Sequence, residues 1–326
     1  MINKSLRTND NINFITFDDA TILVKEQIDT VLGTSPSVIR KYMEHLKASR
    51  GKYIRAVSLL ACAENEEGLI HPNAVKLAAA IEILHLATLV HDDVIDNADL
   101  RRGVVTLQKK YGKKTAVICG DYLLCVALKL ASSVTNREDY LDLDLPDYMG
   151  KVCLGELNQH SNNGNLDLSI YEYFKIIAGK TAALFEASFY AGAIVCESDS
   201  QNTKKYKLLG RYIGMIFQLT DDCIDFETSK SIAKKPVQSD FEQGVITLPL
   251  IHAFMQKLDF KEKARQGQVA RDDINDIVAH TGGLIFTRKV SKKYYDKSIK
   301  IINELNITEE KRIKLIAILD KASHVL

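Results

Sequence analysis

Tryptophan is absent from this 326-residue chain, and proline occurs only five times. So few helix-breaking residues, with Ala, Leu, Ile, Lys and Glu abundant, favour helices. Net charge is nearly absent as well, with 43 basic and 42 acidic residues giving +1. No global field therefore draws the chain to nucleic acid or to an anionic membrane. The six cysteines (62, 119, 125, 153, 196 and 223) form no C-x-x-C pair and lie mostly in apolar stretches. They read as small core residues in a reducing compartment rather than disulfides or a zinc site. The first residues hold no signal-type apolar run. The longest apolar windows, such as 182–196, are interrupted by Glu186 and fall short of a bilayer. The expectation is a soluble cytoplasmic protein with no transmembrane segment. Alternating strand patterns are scarce, no fixed repeat is evident, and no Pro/Gly-rich linker divides the chain. One all-α domain spanning 1–326 is expected.

Helical periodicity predicts helices near 18–32, 36–48, 52–66, 73–97, 113–134, 144–160, 170–197, 203–228, 246–257, 270–281, 284–304 and 309–323. Start signals support several of them: Pro72, Asp167 or Ser169, and Thr308 before Glu309-Glu310. The longer loops are expected at 97–113, 161–169 and 229–245.

Two copies of one acidic pattern stand out, Asp92-Asp93-x-x-Asp96 and Asp221-Asp222-x-x-Asp225, each closing an apolar helical run. With about 3.6 residues per turn, the first and last aspartates of each trio share a face. Like charges so placed repel by a few tenths of a kcal/mol per pair, and by more when desolvated. A single trio reads as a solvated helix end; two on apolar helices ask for a shared cation. Carboxylates that leave room for water and phosphate in the coordination shell suit a hard divalent ion, Mg²⁺ above all.

Along the first acidic helix, Ile81, His85, Thr88 and Asp92 form one stripe, flanked by Leu84 and Ala87. On the second, Gly210 and Gly214 share the face of Asp221, with Gln218 one turn before Asp222. Two aligned helix glycines indicate close approach by another helix or by a ligand. Basic groups accompany the trios: Gly51-Lys52-x-x-Arg55, Arg101-Arg102-Gly103, Gly179-Lys180-Thr181 and Lys234-Lys235-Pro236. Metal-clamped carboxylates with arginine forks and lysine charge are what a diphosphate requires.

In this order the motifs, from about Gly51 to Pro249, resemble those of trans-type polyprenyl diphosphate synthases. The likeness is to bacterial hexaprenyl and heptaprenyl synthase large subunits in particular. It implies an all-α single-domain bundle around a deep central cavity, with the two acidic helices facing across its mouth. It further implies that Asp92, Asp93, Asp96, Asp221, Asp222 and Asp225 hold Mg²⁺ on an allylic diphosphate, helped by Arg101, Lys180 and Lys235. By the same resemblance Lys52, Arg55, His85 and Arg102 bind isopentenyl diphosphate, and Thr181 and Gln218 stand near the reacting carbons.

Chain length in the family is set by residues before the first trio. The small pair Ala87 and Thr88 implies a product longer than farnesyl, of medium length, with Leu84, Ile81 or the following helix (119–130) setting a deeper floor and Phe at Ala87 shortening it. The chain departs from the family pattern at Ala56, Gln238 and Val245. Family-typical homodimers and heterodimers with a small regulatory subunit both remain open. Glu156 and Gln159 read equally as rim groups and as substrate contacts, and Lys289, Lys292, Lys293 and Lys300 as a solvated face. A class I terpene cyclase is the nearest rival, but both acidic trios are complete and a second basic set is present. The same completeness argues against a non-catalytic scaffold subunit.

Overall fold

The computed structural model describes residues 13–49, 51–135, 148–196, 199–227 and 240–323. Its helices are α1 (Phe17–Gly33), α2 (Ser37–Leu46), α3 (Ile54–Ala63), α4 (Asn73–Ile95), α5 (Leu107–Tyr111), α6 (Lys113–Ser132), α7 (Tyr148–Ser161) and α8 (Ile170–Ile177). A π-helical turn, Ala178–Ala182, joins α8 to α9 (Ala183–Val195). Then come α10 (Ser200–Glu227), α11 (Leu248–Gln256), α12 (Leu258–Arg265), α13 (Arg271–His280), α14 (Gly283–Glu304) and α15 (Glu309–Ser323). The architecture is all-α, as expected. Thr16 caps α1 by accepting from the Asp19 amide, and Ser169 with Glu172 forms a reciprocal capping box on α8.

Four details differ from the expectation. The helix predicted over 170–197 is interrupted by the π turn, α5 and α12 were not anticipated, and two small antiparallel ladders are present. Strand β1 (Ile15–Thr16) pairs with β2 (Leu69–Ile70), and β3 (Leu100–Arg101) with β4 (Val104–Val105). Two-residue strands are too short to leave an alternating pattern in sequence.

At the centre runs α9, every residue of which except Ala191 is buried. Packing against it are α3, α4 and α10, while α6 lies along α4, and α14 and α15 close on α10. Glycines allow these approaches: a Cβ on Gly192 would fall 2.4 Å from the Leu59 carbonyl, and one on Gly214 would fall 2.5 Å from Ala182 Cα. The aligned glycines of α10 therefore serve helix packing. One expectation needs correcting: α4 and α6 are each long and apolar enough to cross a membrane by length and composition. In the bundle they lie side by side, and a helix packed into a protein core passes the same test as one packed into lipid.

Gly214→Ala gains up to about 1 kcal/mol of helix propensity but drives a methyl into backbone. A net loss of about 1–3 kcal/mol is expected from the overpacking, read by chemical denaturation.

Candidate active site

The i, i+4 spacing gives both acidic trios the same layout. On α4, Asp92 lines a cavity of about 650 Å³. Asp93, rotated by about 100°, is buried and binds Arg101 Nε at 2.7 Å. On α10, Asp221 lines the same cavity, while Asp222 is turned inward. It accepts hydrogen bonds from the Tyr173 hydroxyl and from Gln218 Nε2, the latter at 2.8 Å. Asp225 accepts the Asp240 amide at 3.2 Å. Asp96 and Asp222 line an adjoining hollow of about 160 Å³ together with Lys180, Gln218 and Asp240.

Such crowding leaves its mark on protonation. Burial, reinforced by Glu156, lifts Asp92 from the usual 3.8 to about 7. Burial also lifts Asp222 to about 7 despite its bonds from Tyr173 and Gln218. Asp240 rises to about 8 through burial and then the charges of Asp222, Asp225 and Asp221. A divalent cation would relieve all three. The donors are hard carboxylate oxygens, the right chemistry for Mg²⁺ or Ca²⁺. Among the described residues no three His, Cys, Asp or Glu side chains are gathered closely enough to hold a metal ion by themselves.

Cations are brought in by local backbone devices. Arg102 and Gly103 have φ of 52° and 79°, the positive pair that a two-residue type I′ turn requires. This turn closes the β3–β4 hairpin, with Arg101 on Asp93 and the Arg102 guanidinium over Gly51, where a Cβ would come within 2.7 Å of Nη1. Lys180 projects from the π turn. Gly155 of α7 faces Gly179 so closely that a Cβ on either would meet backbone within 3.0 Å. That approach lets Glu156 pair with Lys180 at 2.9 Å. Burial works against the Lys180 charge, but Glu156, Asp92 and Asp96 outweigh it and hold its pKa above the usual value.

A second basic group lines the main cavity: Lys52, Arg55, His85 and Arg102. Burial lowers Arg55 to about 10, its guanidinium stacks 4.7 Å from the Phe185 ring, and among the described residues its buried Nε has no hydrogen-bond partner. Burial, then Arg55, Arg102 and Arg101, push His85 well below its usual range, leaving a neutral imidazole. Thr181 Oγ1 donates to Gln218 Oε1 at 2.6 Å, and both side chains line the cavity.

Of the four residues expected at the cavity floor, only Thr88 is on the wall. Ala87 has no exposure, and Leu84 and Ile81 pack against the apolar cluster shared with α6. Lys235, with Lys234, Pro236 and Gln238, lies outside the described residues. Sequence reasoning missed Glu82, Tyr173 and Asp240. Glu82 carried a usable signal, being the one acidic residue within the apolar run 77–90. Tyr173 carried none, since it lies 49 residues from the aspartate it binds.

A family model described as Polyprenyl synthetase matches residues 36–281. The chain is 31% identical over 293 residues to Bacillus subtilis (strain 168) heptaprenyl diphosphate synthase component 2, covering 88% of this chain and 83% of the relative. The crystal structure of heptaprenyl diphosphate synthase from Staphylococcus aureus superposes with a TM-score of 0.85 at 31% identity, covering 95% of this chain and 98% of that one. Polyprenyl synthase from Caulobacter crescentus CB15, crystallised with calcium and isoprenyl diphosphate, gives 0.83 at 29% identity, with 94% of each chain covered.

A carboxyl with a raised folded-state pKa keeps its proton in the fold after the unfolded chain has lost it. Metal-free protein should therefore lose stability as pH rises from about 4 to about 7. Asp92→Asn should flatten that slope and raise the metal-free Tm at pH 7 by a few degrees, on the order of 1 kcal/mol. Thermal melts in chelator across this pH range check the sign.

Proposed function

The chain belongs to the polyprenyl synthetase family and is a prenyltransferase, and we propose that it extends an allylic diphosphate with successive isopentenyl diphosphate units to a medium-chain all-trans product. The observation that carries this reading is one cavity receiving an aspartate from each acidic helix, with two separate sets of cations around it. A terpene cyclase needs no second diphosphate pocket, so the group Lys52, Arg55 and Arg102 favours elongation.

In this reading Asp92, Asp96, Asp221 and Asp225 hold Mg²⁺, whose charge, when bound, stabilises the allylic diphosphate as a leaving group. The calcium and isoprenyl diphosphate in the Caulobacter relative support a divalent ion of this kind. Asp93 and Asp222, which the resemblance also places on the metal, hold other protein groups in this proposal because those groups occupy their carboxylates: Asp93 aims Arg101 at the leaving group, and Asp222 orients Gln218. Lys180 adds charge to the same diphosphate. Thr181 donates its hydroxyl hydrogen bond to Gln218 Oε1, so the Thr181 lone pairs and the Gln218 carbonyl oxygen are the negative ends available to an allylic cation. The mostly apolar walls exclude water that would quench that cation. The double bond of isopentenyl diphosphate attacks the cation carbon, and the departing pyrophosphate takes the proton released. No aspartate is needed as a base. Neutral His85, with Lys52, Arg55 and Arg102, binds the isopentenyl diphosphate head. Lys235 remains a candidate for the allylic diphosphate.

The whole chain acts as one catalytic unit in the cytoplasm in this proposal, consistent with six unpaired cysteines. Exposed Val117, Ile118 and Leu128 on α6, and Leu154 and Leu157 on α7, offer surface for a second copy or a small subunit. The Bacillus subtilis relative's designation as a component supports an assembly.

Incubation with isopentenyl diphosphate, farnesyl diphosphate and Mg²⁺ should yield longer prenyl diphosphates by reversed-phase chromatography. Hydrocarbon release would indicate a cyclase, and no turnover with or without a small partner would indicate a scaffold. Asp221→Asn should cut kcat by about 10²–10³, the scale of losing one electrostatic stabiliser. Since Thr88 stands on the cavity wall, Thr88→Phe should shift the product profile to shorter chains; an unchanged profile refutes that wall as the prenyl path.

A further inference from the structure

Helix α3 begins without a cap of its own. Tyr53, the residue before it, has left-handed backbone (φ 51°), and its side chain makes no capping hydrogen bond. The first turn of a helix has unsatisfied amides that a short polar side chain usually accepts. Here the acceptor comes from another helix. Glu82, buried on α4, takes the Ala56 amide on Oε1 at 2.9 Å, and the Arg55 amide also bonds to its carboxylate. These are the second and third residues of α3, the positions an N-cap side chain serves.

The same carboxylate faces the charges of Arg55 and Arg102. Burial raises its pKa and those arginines oppose the rise. The Arg55 guanidinium lies 4.7 Å from the Phe185 ring and senses the Glu82 charge, and among the described residues its Nε has no hydrogen-bond partner. Glu82 lines the cavity too, but its carboxyl is engaged by the Ala56 and Arg55 amides. Its effect on an anionic ligand must pass through the helix start and the arginines it holds.

We propose that Glu82 is a positioning residue for isopentenyl diphosphate, fixing through the first turn of α3 the direction in which Arg55 meets the diphosphate. This rests on the assignment of Lys52, Arg55 and Arg102 to that substrate. The groups that act on Glu82 are the Ala56 and Arg55 amides and the Arg55 and Arg102 charges, all on the isopentenyl side of the proposed site.

Steady-state kinetics on the full chain, with each substrate varied in turn, tests the idea in Glu82→Asp, Glu82→Gln and Glu82→Ala. Aspartate keeps the charge but falls a methylene short of the amides; glutamine keeps the reach and an oxygen acceptor but loses the charge. Glu82→Asp and Glu82→Ala should each raise KM for isopentenyl diphosphate about tenfold, the scale of a lost cap bonded to a charged group. KM for the allylic diphosphate should stay unchanged, and Glu82→Gln should recover to within about threefold of the parent. A parent-like KM for isopentenyl diphosphate in Glu82→Asp overturns the proposal, even if Glu82→Ala fails to fold. So does a parallel rise of both KM values that follows a loss in Tm, which is what a purely structural role produces. Lys52→Ala, measured alongside, separates the two levels. If it leaves KM for isopentenyl diphosphate unchanged, the pocket assignment itself is wrong.

Discussion

Negative charge gathered at one end of α4 and α10 is the constraint around which the rest of this bundle is arranged. Burial first, and then neighbouring carboxylates, hold Asp92, Asp222 and Asp240 in surroundings that favour their protonated forms. A loose fold would relax by letting the acidic helix ends separate or turn to solvent. Here α9 is buried along nearly its whole length and anchors both sides of the cavity, so the carboxylates stay where they repel. That stored repulsion is what makes a multiply charged cation and its phosphate ligand favourable guests.

Cations temper the repulsion without cancelling it, and each reaches its place by a different backbone device. Arg101 stands beside a positive-φ turn, Lys180 on a π-helical turn, and Arg55 at a helix start capped from a neighbouring helix. Non-standard backbone concentrated around a site is a common way to aim side chains that regular helices would point elsewhere. The glycines belong to the same construction. Gly155 and Gly179 bring α7 against the π turn, and Glu156 reaches Lys180 because of it.

Much of this was legible in the residues. Helical periodicity placed nearly all the long helices, because their apolar stripes are wide and few prolines interrupt them. The basic motifs were legible as well, and Lys52, Arg55, Arg102 and Lys180 do line one cavity with Asp92 and Asp221. What escaped was non-local or short. The π turn inside 170–197 costs one extra residue in a continuous apolar run, which periodicity does not register. Tyr173 on Asp222 and Glu82 on the start of α3 are partners distant in sequence. Ala87, Leu84 and Ile81 share a helix with Thr88, and only the packing of α6 against α4 separates the wall residue from the others.

Local spacing alone puts the first and last aspartates of each acidic trio on one face, since the helical period allows nothing else. The middle aspartate lies about 100° round the helix from the first and about 60° from the last. What that middle carboxylate meets is set by packing: an arginine on a hairpin for Asp93, a buried tyrosine and a glutamine for Asp222. Helix geometry is written in local spacing and survives any packing. The neighbour of a side chain depends on which distant segment the core brings beside it.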